Sequence, residues 1–200
     1  EHGNVDGNTN VTLSSCTIKH VFGGGWCSTV TGNTNVTLSG VNITDVIGGG
    51  NGGDVNGNTN VTIGSSNARF VFGGGDFGNV GKDTTVTINS GTMNGVCGGG
   101  LDGAVNGNSN VTISGGTISD VYGGATNDSV YNKALVKIGV DSNISKNISS
   151  GSCNSGSVGT GSHIEYEVAF YDVSGGAKYI SQWITSGNKA VTPTDPTKSG

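Results

Sequence analysis

Apolar and polar residues alternate with a period of two in short segments that recur every 25 residues along the chain. Each segment reads Val-Thr-Leu or Val-Thr-Ile, so two apolar side chains flank one threonine. Successive side chains of a β-strand point to opposite faces, and the pattern therefore predicts a strand with one buried face. The two buried columns are Val11, Val36, Val61, Val86, Val111 and Val136, with Leu13, Leu38, Ile63, Ile88, Ile113 and Ile138.

The repeat runs from Val5 to about Ile138, and no insertion or deletion breaks its first five rows. Such regularity predicts identical structural units stacked on one another. Two further apolar clusters recur in each row, the first made of two columns and the second of one. One is the pair Ile18, Ile43, Ala68, Met93 and Ile118 with Val21, Val46, Val71, Val96 and Val121, and the other is Val5, Val30, Val55, Val80, Val105 and Val130.

Three inward-facing clusters per row predict three short strands joined by bends, which is an all-β, three-sided parallel β-helix with 25-residue coils. We expect a right-handed helix because parallel crossover connections have that hand almost without exception. A helical fold is excluded, since glycine makes up 39 of 200 residues and β-branched residues dominate the regular segments.

Two polar features accompany the apolar columns. Glycine triplets begin at Gly23, Gly48, Gly73 and Gly98, and they predict either a corner with positive φ or a close approach of backbones. Asparagine columns should form amide ladders from coil to coil. Their members are Asn8, Asn33, Asn58 and Asn108, and Asn10, Asn35, Asn60 and Asn110.

The repeat loosens after Ile138, and residues 131–158 are interpreted as a degenerate sixth coil. The predicted organisation is a β-helix over residues 1–158, followed by a connector and a small C-terminal β module over residues 159–200. The module begins at His163 with a strand whose apolar residues alternate, from Ile164 to Phe170.

The C-terminal segment carries a spaced set of apolar, glycine and proline residues: Val168, Phe170, Gly175, Gly176, Gly187, Ala190, Val191, Pro193, Asp195, Pro196 and Gly200. In these residues it resembles the Listeria-Bacteroides repeat, a B-repeat-like module of bacterial surface proteins. The family pattern continues past Gly200, so the match covers part of the module. The resemblance implies a large, modular, secreted or cell-wall-attached bacterial protein, often an adhesin, and the glycine-rich rows are similar to those of extracellular β-helix proteins of Gram-positive bacteria.

Charge and composition limit the classes of partner that this chain is expected to bind. The net charge is −5 with nine basic residues and no basic patch, which argues against nucleic acid and anionic membranes. No 18-residue apolar run is present, so membrane insertion is not expected. Low charge and abundant Ser, Thr, Asn and Gly are typical of secreted or cell-surface β-helices, and open coil ends predict end-to-end self-association.

No catalytic residue, metal site or cofactor is predicted. Asp45 and Asp120 share a column with His20, but Phe70 and Gly95 separate them, whereas polysaccharide lyases and hydrolases need clustered carboxylates. The segment 49–54 lacks the tandem repetition of a calcium-binding nonapeptide. Among the cysteines, Cys16 and Cys27 share one coil and are the only pair considered for a disulfide.

One column is a candidate binding surface. If Val21 and its equivalents point inward, then Phe22, Ile47, Phe72, Cys97 and Tyr122 point outward as an apolar stripe, and exposed apolar patches mark contact surfaces. Alternatively, a bend between the two columns buries both. Residues after each glycine triplet vary between rows. The candidate ligand-binding residues are Phe22, Trp26, Ile47, Asn51, Phe72, Asp76, Phe77 and Tyr122.

We therefore expect a non-enzymatic, extracellular structural or adhesive domain of a bacterial surface protein, with a glycan or a surface protein as its partner. Two other classes stay open. One is a carbohydrate-active or sugar-binding β-helix, and the other is a subunit of a self-assembling filament.

Overall fold

The computed structural model describes residues 3–171 and 178–188, and all regular elements in these ranges are β-strands. The short strands of the first two coils are β1 (Thr9–Ser14), β2 (Thr17–Phe22), β3 (Thr34–Ser39) and β4 (Asn42–Ile47). The longer ones are β5 (Thr59–Phe72), β6 (Thr84–Cys97), β7 (Ser109–Tyr122) and β8 (Ala134–Ser149), and the last are β9 (His163–Tyr171) and β10 (Lys178–Thr185).

Parallel pairing stacks each coil on the next in the register of the repeat. Val11 pairs with Val36, which pairs with Val61, and β2 and β4 continue in the same way into the second half of β5. Isolated parallel bridges along the Val5 column form a third line of contact. The predicted fold class is confirmed: the protein is an all-β parallel solenoid of about six turns.

The interior is built from the predicted columns. Val36, Leu38, Val61 and Ile63 are at most 1% exposed, and they pack with the second pair of columns in one continuous cluster. Val80 and its equivalents form a second cluster along the third side. At roughly 25 cal/mol per Å² of apolar surface, burial of these columns is the main force that closes each coil.

A buried hydroxyl column, which the sequence analysis missed, braces the second to fifth coils from within. Thr34, Thr59, Thr84 and Ser109 are fully buried. Each hydroxyl donates to the carbonyl oxygen of the first glycine of the triplet in its own coil, at 2.5 to 2.6 Å. A donor inside an apolar core has to be paired. This bond connects the residue at which the strands of a coil begin to the glycine that follows their last residue.

The glycine triplets allow a close approach of backbones between coils. A Cβ on Gly73 would meet the carbonyl oxygen of Gly98, and a Cβ on Gly49 would lie 2.9 Å from the Cα of Gly75. The positive-φ glycines of the described residues lie elsewhere, at Gly91 and Gly116 among other positions. Of the two interpretations of the triplet, the close approach is therefore the correct one.

Asparagine ladders join the coils as predicted. The side-chain oxygen of Asn33 accepts from the backbone N–H of Asn58 at 2.8 Å, and that of Asn58 accepts from Asp83 N–H at 3.0 Å. In the second column the amide of Asn60 donates to Asn35 at 2.9 Å. Each coil thus carries directional bonds to the next in addition to its strand pairing.

The sixth coil is lengthened by two irregularities in the pairing of β7 with β8, between Ile113 and Gly115 and between Ile118 and Asp120. The predicted strand at His163 is present as β9, which pairs parallel with β8, and β10 pairs antiparallel with β9. The boundary at residue 158 stays a prediction. Most residues of the B-repeat resemblance lie outside the described residues, namely Gly175, Gly176, Ala190, Val191, Pro193, Asp195, Pro196 and Gly200.

Candidate functional site: a groove beside the glycine column

The predicted apolar stripe lies outside the solenoid core but is not freely exposed. Ile47, Phe72 and Cys97 are 4 to 6% exposed and form their own cluster, separate from the interior one. Phe22 and Tyr122, at its two ends, are partly buried. The stripe therefore points away from the core, as the first interpretation predicts, but neighbouring parts of the same coils cover it.

The stripe is the floor of a groove with a volume of about 650 Å³, which we call the stripe groove. One wall is the strand column two residues before the stripe, and the other is the turn that follows each glycine triplet. The strand wall consists of His20, Asp45, Phe70, Gly95 and Asp120, with Arg69 and Asn94 beside it. The turn wall consists of Trp26, Asn51, Asp76, Leu101, Thr126 and Cys153.

Aromatic rings give the stripe groove its apolar character. Phe22 and Trp26 meet edge to face with their ring centres 6.1 Å apart, and Phe70 and Phe72 are tilted against each other at 6.2 Å. Such pairs stabilise one another beyond simple area burial. Trp26 remains 68% exposed, so one large ring face is available to a ligand at this end.

The strand wall carries a small charge network. His20 Nδ1 lies 3.2 Å from one Asp45 oxygen, and Arg69 Nη2 lies 3.5 Å from the other. The guanidinium of Arg69 also stands 5.0 Å above the ring of Phe70, in the range of a cation–π contact. Asp45 is 15% exposed on its side chain, so these two partners hold a carboxylate at the edge of an apolar floor.

The turn wall presents a second carboxylate. The amide of Asn51 donates to Asp76 Oδ2 at 2.8 Å. Burial raises the pKa of Asp76, and the negative charges of Asp102 and Asp45 raise it further, while His20 acts in the opposite direction. A carboxylate that is desolvated and held near other acids is stabilised by any hydrogen-bond donor that enters the groove.

The far end of the groove combines Tyr122, Cys97, Thr126 and Cys153. Burial raises the pKa of the Tyr122 hydroxyl, and the charge of Asp120 adds to this. Hydrogen bonds from Ser119 and Asn147 lower the pKa of Asp120 itself. The Sγ atoms of Cys97 and Cys153 are 3.8 Å apart, which no feature of the repeat predicted.

Seven of the eight candidate residues line the stripe groove: Phe22, Trp26, Ile47, Asn51, Phe72, Asp76 and Tyr122. Phe77 does not line it and is 63% exposed, because it follows the turn wall by one residue. Sequence analysis missed Phe70 and Arg69 as lining residues. The column of Phe70 was examined only for carboxylates, although its position two residues before the stripe places it on the same outward face.

Cys16 and Cys27 are both free thiols, so the pair considered for a disulfide is not joined in this structure. Among the described residues, no cluster of three or more His, Cys, Asp or Glu side chains has an arrangement that could hold a metal ion. The same part of the chain contains no helix of the length and hydrophobicity needed to cross a bilayer.

Comparisons of the chain with protein-family models, with curated proteins and with solved structures find no match. What the site can do must therefore follow from its geometry. An aromatic floor flanked by carboxylates and amides suits a ligand that combines apolar faces with hydrogen-bond donors. Sugars offer C–H faces and hydroxyls, and a peptide offers apolar side chains and cationic groups.

Proposed function

We propose that this chain is a non-enzymatic, extracellular structural and adhesive domain of a bacterial surface protein, in which the solenoid is a rigid scaffold and the stripe groove holds a glycan or a protein segment. The observation that carries the proposal is the groove itself. Its floor is an aromatic and aliphatic stripe outside the core, and large sheltered apolar surfaces of this kind mark binding sites.

The charges of the groove support a ligand rich in donors. Asp76 accepts its hydrogen bond from the neutral amide of Asn51, and the protein as a whole carries a net charge of −5. Hydroxyl groups of a sugar or the ammonium and guanidinium groups of a peptide would complement these acceptors. An anionic ligand would meet repulsion from Asp45, Asp76 and Asp120.

The scaffold favours binding without rearrangement. Each of the first five coils contributes one floor residue and one turn-wall residue, and the coils are joined by strand pairing and by asparagine ladders. Side chains that are already fixed lose little conformational entropy when a ligand binds. The groove is thus preorganised, which is the property an adhesive surface needs.

Binding of the full chain to arrays of glycans and host-matrix proteins tests the proposal. The informative variant is Trp26→Ala, because Trp26 lines the groove and is 68% exposed. The matched control is Phe77→Ala, an aromatic residue that is 63% exposed outside the groove. We expect a specific ligand whose affinity falls by tenfold or more in Trp26→Ala (about 1.4 kcal/mol) and is unchanged in Phe77→Ala.

Equal losses in the two variants, or an absence of binding to either array at high protein concentration, would overturn the adhesive role. Phe72 is less suitable for this test, since it is 6% exposed and its truncation would leave a cavity in the groove floor. Trp26→Ala removes a ring whose larger part is in solvent, so the fold is expected to tolerate it.

A carbohydrate-active enzyme is the second candidate, and one observation favours it. Asp45 and Asp76 line the same groove from opposite walls, and the pKa of Asp76 is raised, as for a general acid. If the groove cleaves glycans, reducing ends will accumulate with a polysaccharide substrate, and Asp76→Asn will abolish this while preserving binding. Binding without turnover supports the adhesive role.

A further inference from the structure

The two cysteines at the far end of the stripe groove come from different coils. Cys97 is the last residue of β6, and Cys153 follows β8 in the turn wall, 56 positions further along the chain. Their Sγ atoms are 3.8 Å apart. Thr126 lies between them, with its hydroxyl oxygen 3.2 Å from Cys153 Sγ and 3.9 Å from Cys97 Sγ.

The pair is asymmetric in a way that suits thiol exchange. Cys97 is 5% exposed, whereas Cys153 is only partly buried. The hydrogen bond from the Cys97 thiol, helped by the hydroxyl of Thr126, lowers the pKa of Cys153 to about 6. The same interaction and burial raise the pKa of Cys97. Thiolates are the reactive form of cysteine, so Cys153 is the accessible nucleophile and Cys97 the shielded partner.

We propose that Cys97 and Cys153 are a thiol-exchange site that takes low-molecular-weight disulfides as its substrate and forms a disulfide across the end of the stripe groove. The Sγ atoms need to approach from 3.8 Å to about 2.05 Å. Because the two cysteines lie two coils apart, at about 4.8 Å per coil, closure requires the turn that carries Cys153 to move toward Cys97. This inference goes beyond ligand binding and does not depend on the groove's ligand.

The chemistry proceeds in two exchanges. The Cys153 thiolate attacks one sulfur of the small disulfide, the S–S bond of the reagent breaks, and the first small thiolate leaves and takes up a proton from water. Cys97 then gives its proton to solvent and attacks Cys153 Sγ, which expels the second small thiolate. The two protein thiols are oxidised by two electrons, and the small disulfide is reduced to two thiols.

The consequence is a covalent bond between the floor of the groove and its turn wall. Strand pairing connects Cys97 to Tyr122 and Tyr122 to Ser149 in successive coils, so the bond would span three coils at their outer face. In an oxidising extracellular setting the bonded form persists, and it would fix the position of Cys153 beside Tyr122.

The test uses the full chain, fully reduced and then incubated with oxidised glutathione. The products are quenched with acid, alkylated and mapped by peptide mass spectrometry without reduction. We expect the Cys97–Cys153 crosslink to form before glutathione modifies Cys16 or Cys27. In Cys97→Ser the second exchange is impossible, so a stable mixed disulfide with glutathione should accumulate on Cys153.

The variant Cys153→Ser is the complementary control, and in it Cys97 should react more than tenfold more slowly than exposed Cys27 in the folded protein. The proposal is overturned if the wild-type chain retains glutathione on Cys153 without closing the bond, or if Cys153 reacts no faster than Cys27 near neutral pH. If Cys97→Ser does not fold, the wild-type crosslink and the relative rates decide the question alone.

Discussion

The hydroxyl of Thr34 donates a 2.6 Å hydrogen bond to the carbonyl oxygen of Gly48, 14 residues further along the same coil. Thr34 is fully buried, so this bond lies in the apolar interior and connects the start of β3 to the residue that follows β4. The same bond recurs in the next coils from Thr59 and Thr84. In the second to fifth coils, one hydroxyl therefore closes the loop of chain that forms two sides of the coil.

Replacement of Thr59 by valine should destabilise the protein by about 1–3 kcal/mol, because Gly73 would keep a buried carbonyl without its side-chain donor. The matched control is Thr62→Val on the outward face of the same strand, where Thr62 is partly exposed. Denaturant unfolding measures both. If the free energy of unfolding falls by the same amount in the two variants, the interior hydrogen bond does not stabilise the coil.

Gly73→Ala should be among the most damaging single-methyl additions in the chain. The new Cβ would meet the carbonyl oxygen of Gly98 and lie 2.9 Å from a methyl group of Val86. We expect a loss of about 3 kcal/mol, the upper part of the range for overpacking, because backbone atoms of a stacked coil cannot move aside alone.

The control for this substitution is Gly151→Ala, where the nearest atom is the Ser149 hydroxyl oxygen at 3.3 Å. Thermal and denaturant unfolding should place Gly151→Ala within about 1 kcal/mol of the wild type. A Gly73→Ala protein of unchanged stability would show that the coils are not packed backbone to backbone.

Asn58→Ala should weaken the contact between the third and fourth coils. The side-chain oxygen of Asn58 accepts the Asp83 N–H at 3.0 Å, and its loss should cost about 0.5–1.5 kcal/mol. Hydrogen exchange at the Asp83 amide is the direct measurement, and its protection should fall. Exposed Asn56 in the same coil is the control position, and Asn56→Ala should leave that protection unchanged.

Asp76→Asn should stabilise the protein at neutral pH and have no such effect in acid. The folded-state pKa of Asp76 lies above the ordinary value of 3.8 for this side chain, so the folded state holds the proton more tightly than the unfolded state does. Stability therefore falls as the pH rises through the folded pKa, and at about pH 7 the ionised carboxylate carries the full cost.

Free energies of unfolding of wild type and Asp76→Asn at about pH 7 and about pH 2.5 test this, because both states are protonated at the lower value. Asp102→Asn, which removes a neighbouring negative charge that raises the pKa of Asp76, should give a smaller change of the same sign. A stabilisation that is equal at the two pH values would contradict the role of ionisation.

The strands and the stacking register could be predicted from sequence because period-two alternation and a fixed repeat length are both visible without knowledge of tertiary contacts. Thr34 was missed although it has the same parity as Val36 and Leu38, since a hydroxyl in a strand is ordinarily placed outward. The sequence does not show the hydrogen-bond acceptor of Thr34, because only in the folded coil does the Gly48 carbonyl lie next to its hydroxyl. The signal that would have identified these residues is a hydroxyl that recurs every 25 residues on the same strand face as the apolar columns.

The residues that form the floor of the candidate site could be predicted from sequence more fully than those that form its walls. The outward direction of Phe22 and Phe72 followed from alternation, but the depth of the groove depends on how the turn after the triplet folds beside the strand. Phe77 was included because the turn path was unknown. Cys153 was missed because the irregularities in β8 shift it into the turn column of Thr126, and a strict 25-residue alignment hides that shift.

The separation between the core columns and the groove column has a consequence for how such a chain can diversify. The first five coils join their neighbours through the same registered ladders, about 4.8 Å apart, yet the equivalent floor position holds four residue types, at Phe22, Ile47, Phe72, Cys97 and Tyr122. Duplication, loss or exchange of one whole coil would therefore lengthen, shorten or reorder the stripe groove, while the ladders between coils form again in the same register. Recombination within such a gene would change the lining of the groove without changing the contacts that join the coils.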